Sequence, residues 1–317
     1  MLSFIFLSIN CMAQVDYSVV HVNEESGIEF TKITTDNDYV CMPKVIRHGS
    51  TINWLSNRIL DISIDGRQFA YLSERNNNTN IFIKDLDKQG SSMQRTNRQN
   101  ILDFSYSPNS KYICFSERNG KYNEIYQTDS RTGYVCRQFT NNNKDFSPIY
   151  TLDMKNIFFS RQEAKGISIW SYNIANNFLS NYNKGMNPFP LRSEDMMLCT
   201  RINEQGKGEI WRINYTTGSE ECLISDPNHS FSSPSLSPDG RWILLVGSSV
   251  LKNGNTFYAN TDIFACHNDG TQLTQITYHA ADDLSPVWSR DGKYIYFISQ
   301  RGSSTGTANV WRMSFNY

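Results

Sequence analysis

The stretch SPDGRWILLVGS, residues 237–248, reads as a tight Asp-Gly turn running into a strand that is apolar almost throughout. Nearly the same phrase stands at 289–302 (SRDGKYIYFISQRG), at 107–120 (SPNSKYICFSERNG) and at 63–76 (SIDGRQFAYLSERN). Anchoring on the turn residue of each copy gives Asp65, Asn109, Asp153, Ser193, Asp239 and Asp291, with gaps of 44, 44, 40, 46 and 52. A self-similar period in this range belongs to repeat architectures, so it has to be interpreted before any single motif.

Each unit carries the same succession. Pro148, Pro188, Pro234 and Pro286 stand five residues before the anchor, while Pro108 lies at the turn itself. An apolar strand follows the turn: FAYLS, YICFS, NIFFS, MMLCT, WILLV and YIYFI. A third strand is marked by an aromatic or apolar pair: NIFIKDL, NEIYQTD, SIWSYN, EIWRIN, DIFACHN and NVWRMSF. Four short strands per unit at this period predict an all-β, six-bladed β-propeller. The last unit stops at its third strand. Its missing fourth strand ends elsewhere in Gln138-Phe139-Thr140 and Gln275-Ile276-Thr277, and the matching phrase Lys32-Ile33-Thr34 lies near the N-terminus. Residues 27–34 are therefore expected to complete blade six, since an open ring would leave a row of unpaired backbone groups at a sheet edge.

Composition agrees with this and excludes some functions. Lys+Arg 30 against Asp+Glu 31 gives a net charge of −1, so no basic excess exists to neutralise phosphates and no nucleic-acid partner is expected. The opening MLSFIFLSINCMAQ resembles the end of a secretory signal with Ala13 at the small-residue cleavage position. The organisation read from the chain is thus a signal peptide over 1–13, an N-terminal extension over 14–26 and one propeller over 27–317. No other run nears the roughly 20 apolar residues that span a bilayer, so a periplasmic or otherwise exported protein is expected, not membrane-spanning, with outer-membrane association a variant of that location. Six cysteines follow the signal: Cys41, Cys114, Cys136, Cys199, Cys222 and Cys266. They fall in or beside apolar strands and read as buried thiols. Second and fourth strands of one blade stand about 9.5 Å apart, too far for a disulfide.

The units S-P-D-G-R/K, hydrophobic strand, S-x-R, I-W/Y and a closing L/I/F-T resemble the WD-type propeller repeat of the TolB family. The resemblance covers 27–317, without the separate N-terminal α/β domain of TolB. It implies a propeller and says little about activity. It extends to the propeller halves of prolyl-oligopeptidase-type proteases and to oligogalacturonate lyase.

Alternate connections share a face of such a ring. On the face opposite the Asp-Gly turns, arginines follow the second strands: Arg75, Arg118, Arg161, Arg201 and Arg301, beside Ser73, Ser116, Ser160, Thr200 and Ser299. Asp38, Asp145, Asp282 and Asp283 stand in the links between blades. One reading pairs these arginines with carboxylates of neighbouring blades. The other makes Arg75, Arg118, Arg161, Arg201, Arg301, Asp145, Asp282 and Asp283 a rim that binds a ligand or protein partner. Two longer segments, 44–57 and 251–261, are further candidates for recognition.

Motifs for catalysis are sparse. Gly302-Ser303-Ser304-Thr305-Gly306 matches a nucleophile-elbow pattern, but that pattern needs a strand entering a helix and here it falls in a polar loop. No cofactor motif appears, so no cofactor and no catalytic residue are assigned. His229 and His279 fall in successive inter-blade links and are the candidates for a metal site. The expectation is a non-enzymatic protein-binding or scaffold module at the cell envelope. The alternative is a carbohydrate-active protein that binds or cleaves an acidic polysaccharide, with an acidic glycan as ligand.

Overall fold

The structure is a computed structural model. It describes residues 28–43, 58–86, 90–192, 195–253 and 256–316, with the side chains of 183 and 250–259 excepted, and the backbone of three short strands at Val19–Val22, Val45–His48 and Thr51–Trp54. The expected signal peptide, 1–13, and the turn residue Ser193 lie outside the described residues.

Six antiparallel sheets follow one another along the chain, each in simple up-and-down order. Blade one is Leu60–Ile62, Gln68–Arg75, Asn78–Asp85 and Met93–Gln94. Blade two is Ile101–Tyr106, Tyr112–Asn119, Tyr122–Asp129 and Val135–Gln138. Blade three is Asp145–Tyr150, Asn156–Glu163, Gly166–Asn173 and Leu179–Lys184. Blade four is Met186–Pro190, Met196–Ile202, Gly208–Asn214 and Glu220–Ile224. Blade five is His229–Leu236, Trp242–Asn253, Thr256–His267 and Thr274–Gln275. Blade six is Asp283–Trp288, Tyr294–Ser299 and Asn309–Ser314.

Blade six is completed from the other end of the chain. Glu29–Lys32 pairs with its third strand, Phe30 opposite Met313 and Lys32 opposite Trp311. The closure drives Phe30 into the core at 2 % exposure, where its ring meets Phe297 edge-on at 6.1 Å. Ile33 continues the join by donating its N–H to the Val310 carbonyl at 2.8 Å. Val19–Val22, inside the stretch read as an extension, adds a fifth, outermost strand.

The repeated turn has a common chemistry. In blade five Ser237 Oγ donates to Asp239 Oδ1 at 2.6 Å, and the same carboxylate oxygen accepts the Arg241 N–H at 3.1 Å. Ser237 Oγ in turn accepts the Trp242 N–H at 2.9 Å, at the start of the second strand. Gly240 takes φ 78°, the left-handed conformation that closes the turn without a Cβ penalty. Ser63/Asp65, Ser107/Asn109, Thr151/Asp153 and Ser289/Asp291 repeat the hydroxyl-to-carboxylate or hydroxyl-to-amide bond at 2.6–2.8 Å. These donors hold Asp239 at a pKa of about 2, led by the Ser237 hydroxyl. The S-x-D-G spelling is thus a pre-organised turn, and its recurrence in five blades reflects one repeated geometric task.

Buried aromatic and branched residues of the second and third strands fill the space between neighbouring blades, as with Phe69, Tyr71 and Phe82 in blade one or Phe297 and Trp311 in blade six. Blade five departs from the serine pattern at Gly247. A Cβ there would lie 2.5 Å from the Phe264 ring and 2.9 Å from Phe231, so these edge-to-face aromatics exclude a side chain. No helix among the described residues is long and apolar enough to cross a membrane.

Candidate functional site

Two places gather polar residues: the rim opposite the Asp-Gly turns, and the central channel.

On the rim, the structure divides the arginines. Arg161 is 8 % exposed, and its Nε and Nη2 donate to the two oxygens of Asp145 at 2.6 and 2.9 Å. Its guanidinium also lies 4.5 Å from the Trp170 ring centre. Burial raises the Asp145 pKa even though Arg161 opposes the rise. Arg301, 3 % exposed, donates to Asp283 and sits over Phe30 at 4.1 Å and Phe297 at 4.8 Å, so it clasps the closing strand. Arg201 makes a two-pronged pair with Glu220 at 2.7 and 2.5 Å. Arg75 lies over Phe82 at 4.2 Å and donates to Ser73 Oγ at 3.2 Å. Arg118 is exposed, and its side chain makes no bond to a described residue. Asp282 is half-buried beside Asp283.

The reading that these arginines fasten one blade to the next needs correction. Asp145 and Arg161 are opposite each other on paired strands of blade three, and Arg301 with Asp283 and Arg201 with Glu220 are also same-blade pairs. Nor are the five arginines equivalent. Arg161 follows Ser160 by one residue and Arg118 follows Ser116 by two, and successive side chains on a strand face opposite ways.

The neighbouring hydroxyls do the fastening. Ser160 Oγ accepts the Asn187 N–H of the next blade at 2.9 Å, and Thr200 Oγ1 accepts the Ser233 N–H at 3.2 Å. In blade two Ser116 donates to Asp103, whose other oxygen accepts the Ser147 N–H at 2.9 Å. Ser285 Oγ accepts the Ile59 N–H at 3.3 Å and joins blade six to blade one. The accepting geometry depends on left-handed residues before the repeated prolines: Ser147 (φ 52°), Asn187 (54°), Ser233 (57°) and Ser285 (51°). Each marks a bulge in the inner strand, and at Ser147, Asn187 and Ser233 the bulge turns the N–H outward to the preceding blade.

His229 and His279 do not converge on a common ligand set. His229 Nδ1 lies 3.1 Å from Asp226 Oδ1, and its ring stacks on Phe231. His279 Nδ1 accepts the Ala281 N–H at 3.0 Å. Among the described residues no group of three or more His, Cys, Asp or Glu side chains is placed to hold a metal. Gly302–Gly306 is a loop between second and third strands with no helix after it. The cysteines also divide: Cys114, Cys199 and Cys266 are buried, whereas Cys136 and Cys222 are exposed, because fourth strands form the outer edges of the blades. The buried-thiol reading therefore fails for those two.

The sequence reading missed the channel. Inner strands of all six blades enclose a cavity of about 300 Å³, whose mouth lies among the Asp-Gly turns at Ile64, Pro108, Leu152 and Pro238. At its inner end Arg58 of blade one reaches over the Phe189 ring of blade four, 5.6 Å from its centre, across the ring. One local signal was present: where four blades carry Ser-Pro or Asn-Pro, blade one carries Ile59-Leu60, preceded by Arg58.

No family model matches the chain. Solved structures do share its shape. A candidate TolB from Agrobacterium tumefaciens superposes with a TM-score of 0.63 at 16% identity, covering 84% of this chain and 95% of that one. TolB from Acinetobacter baumannii gives 0.62 at 17% identity over 78% of this chain and 64% of that one, so this chain spans less than two thirds of that protein. Oligogalacturonate lyase from Vibrio parahaemolyticus gives 0.60 at 10% identity over 93% and 96%. At these identities the likeness is one of fold, shared by proteins with different activities. The chain is an all-β, TolB-like six-bladed β-propeller, closed by its own N-terminal strand.

Proposed function

We propose that this chain is an exported, non-enzymatic binding module of the cell envelope, whose protein partner docks on the face opposite the Asp-Gly turns. The observation that carries the proposal is the blade-five hairpin. Its strands Trp242–Asn253 and Thr256–His267 are twelve residues each, against eight, eight, eight, seven and six for the second strands of the other blades. The four extra residues per strand extend about 14 Å past the ring at roughly 3.4 Å each. Nothing in closing or packing the ring calls for that projection, and long elements on a rigid scaffold serve recognition. The hairpin Val45–His48/Thr51–Trp54 is a second addition outside the blade sheets. On the same face Arg118 supplies an exposed cation, whereas Arg161 and Arg301 are consumed by buried pairs. Cleavage of an acidic polysaccharide, suggested by the likeness to oligogalacturonate lyase, finds less support, since His229 and His279 are each bonded locally.

The test shortens the hairpin by replacing 250–259 with Asn-Gly, which leaves Ser249 opposite Asn260 and a blade of ordinary length. Chemical cross-linking in envelope extracts is compared for the wild type, this variant and Arg118→Glu. Loss of the same cross-linked protein from both variants is the expected result. Identical cross-links from all three would sink the proposal.

A further inference from the structure

The channel contains a cation that makes no hydrogen bond or ion pair with the described residues. This is Arg58, which lines the cavity and is only partly buried. Two carboxylates lie near enough to act on it, yet both are occupied by the walls. Asp61 accepts the N–H groups of Ile62 and Tyr106, each at 2.8 Å. Asp103 accepts the Ser147 N–H at 2.9 Å and the Ser116 hydroxyl. Burial pulls the Arg58 pKa down and Asp61 pushes it up, but a guanidinium remains charged in proteins.

Four more groups along the same cavity are unsatisfied. The Tyr106 hydroxyl, Asn187 Nδ2, Ser235 Oγ and Trp288 Nε1 are buried atoms with no hydrogen-bond partner. They come from blades two, four, five and six. Tyr106, Asn187 and Trp288 are 6%, 4% and 7% exposed. Leaving a buried polar atom unpaired costs about 1–3 kcal/mol, so four such atoms lining one cavity mark a space shaped for something polar. Asn187 cannot be rotated to serve the wall better, because its Oδ1 accepts the Ser147 hydroxyl at 3.0 Å and its N–H is held by Ser160.

The remaining surface is apolar: Leu60, Ile149, Phe189, Leu236 and the Trp288 ring contribute to it. A volume of about 300 Å³ is at the small end of ligand pockets.

We propose that this channel binds a small organic monoanion, a carboxylate on an apolar body, with the carboxylate on the Arg58 guanidinium and the Asn187 amide. A planar carboxylate matches the fork of a guanidinium. One negative charge balances one cation, whereas a dianion such as a phosphate monoester would carry an excess charge toward Asp61. Arg192, exposed at the mouth, adds positive charge along the way in. This site opens on the turn face and is independent of the partner-docking proposal, so either can fail alone.

Isothermal titration of the full chain with phenylacetate and hexanoate tests the inference, with phenylacetamide and inorganic phosphate as controls. Saturable one-to-one binding of the carboxylates is expected, with the amide and phosphate at least about tenfold weaker, as a lost charge-assisted hydrogen bond implies. Arg58→Met should lose binding by about tenfold or more, Arg58→Lys by less, and Trp288→Phe by a few-fold. Failure of every carboxylate to saturate, equal affinities for acid and amide, or wild-type affinity in a folded Arg58→Met would each overturn the proposal. If thermal melting shows Arg58→Met unfolded, Arg58→Lys and Trp288→Phe decide: unchanged affinity in both would overturn it.

Discussion

Replacing Arg161 by alanine should destabilise the propeller severely, whereas replacing Arg118, which also follows a second-strand serine, should leave stability nearly unchanged. The pair with Asp145 is two-pronged, at 2.6 and 2.9 Å, and the side chains are 9% and 0% exposed. Arg161→Ala would strand a carboxylate that burial already raises in pKa, and it would remove the cation over Trp170. Breaking one partner of a buried pair costs about 3–5 kcal/mol. Unfolding entropy near 2.1 cal/mol/K per residue gives about 0.67 kcal/mol/K for 317 residues. A loss of about 4 kcal/mol therefore lowers Tm by about 6 °C. Asp145 can escape part of the penalty by taking up a proton, so the loss should be smaller at pH 5 than at pH 8. Arg118→Ala, at an exposed position, should stay within about 0.5 kcal/mol of the wild type. Replacing both members, Arg161→Met with Asp145→Leu, should recover most of the loss, since apolar side chains of similar volume carry no desolvation cost. Calorimetry and urea titration of the four proteins read these differences. An Arg161→Ala protein within 1 kcal/mol of the wild type, or an Arg118→Ala protein equally damaged, would refute the division of the rim into paired and free arginines.

Burial lifts Asp103 to a pKa of about 7, above its unfolded value, so the folded state holds a proton that the unfolded chain releases near pH 4. Its contribution is fully present below pH 4 and is lost as pH rises toward 7 and beyond, by about 4 kcal/mol at most. Asp103→Asn should flatten that decline in urea melts between pH 5 and 8, and an unchanged slope counts against it. Asp262, at about 8, works in the same direction, so a residual decline is expected. Gly247→Ser, which installs the residue used by other blades, should cost about 1–3 kcal/mol by forcing Phe264 and Phe231 apart, and a neutral effect on Tm would show that the aromatics yield. Phe30→Ala should cost about 3–5 kcal/mol and expose the blade-six edge, read as a lowered Tm with concentration-dependent association. A thiol reagent should label Cys136 and Cys222 in the native protein, whereas Cys114, Cys199 and Cys266, buried and pushed up to about 12, should label only on unfolding.

The repeat by itself determined the fold, because the blades meet the same local requirements and five of the six spell the turn with the same residue types. A hydroxyl two residues before an Asp or Asn, a left-handed residue next and then an apolar strand are short-range chemistry, visible within one blade. Closure was equally legible, since Lys32-Ile33-Thr34 repeats the fourth-strand phrase the last unit lacks. What each arginine does was not. A shift of one residue along a strand turns Arg161 toward Asp145 and leaves Arg118 in solvent, and burial depends on which residue the strand presents inward. The fourth-strand cysteines looked buried by their apolar neighbours, but only the ring shows that those strands are outermost. The channel was least accessible of all. Arg58, Tyr106, Asn187, Ser235 and Trp288 come from five blades, 48 to 81 residues from one to the next, and no spacing along the chain brings them together. Only the closing of the ring does that, by pointing every inner strand at one axis.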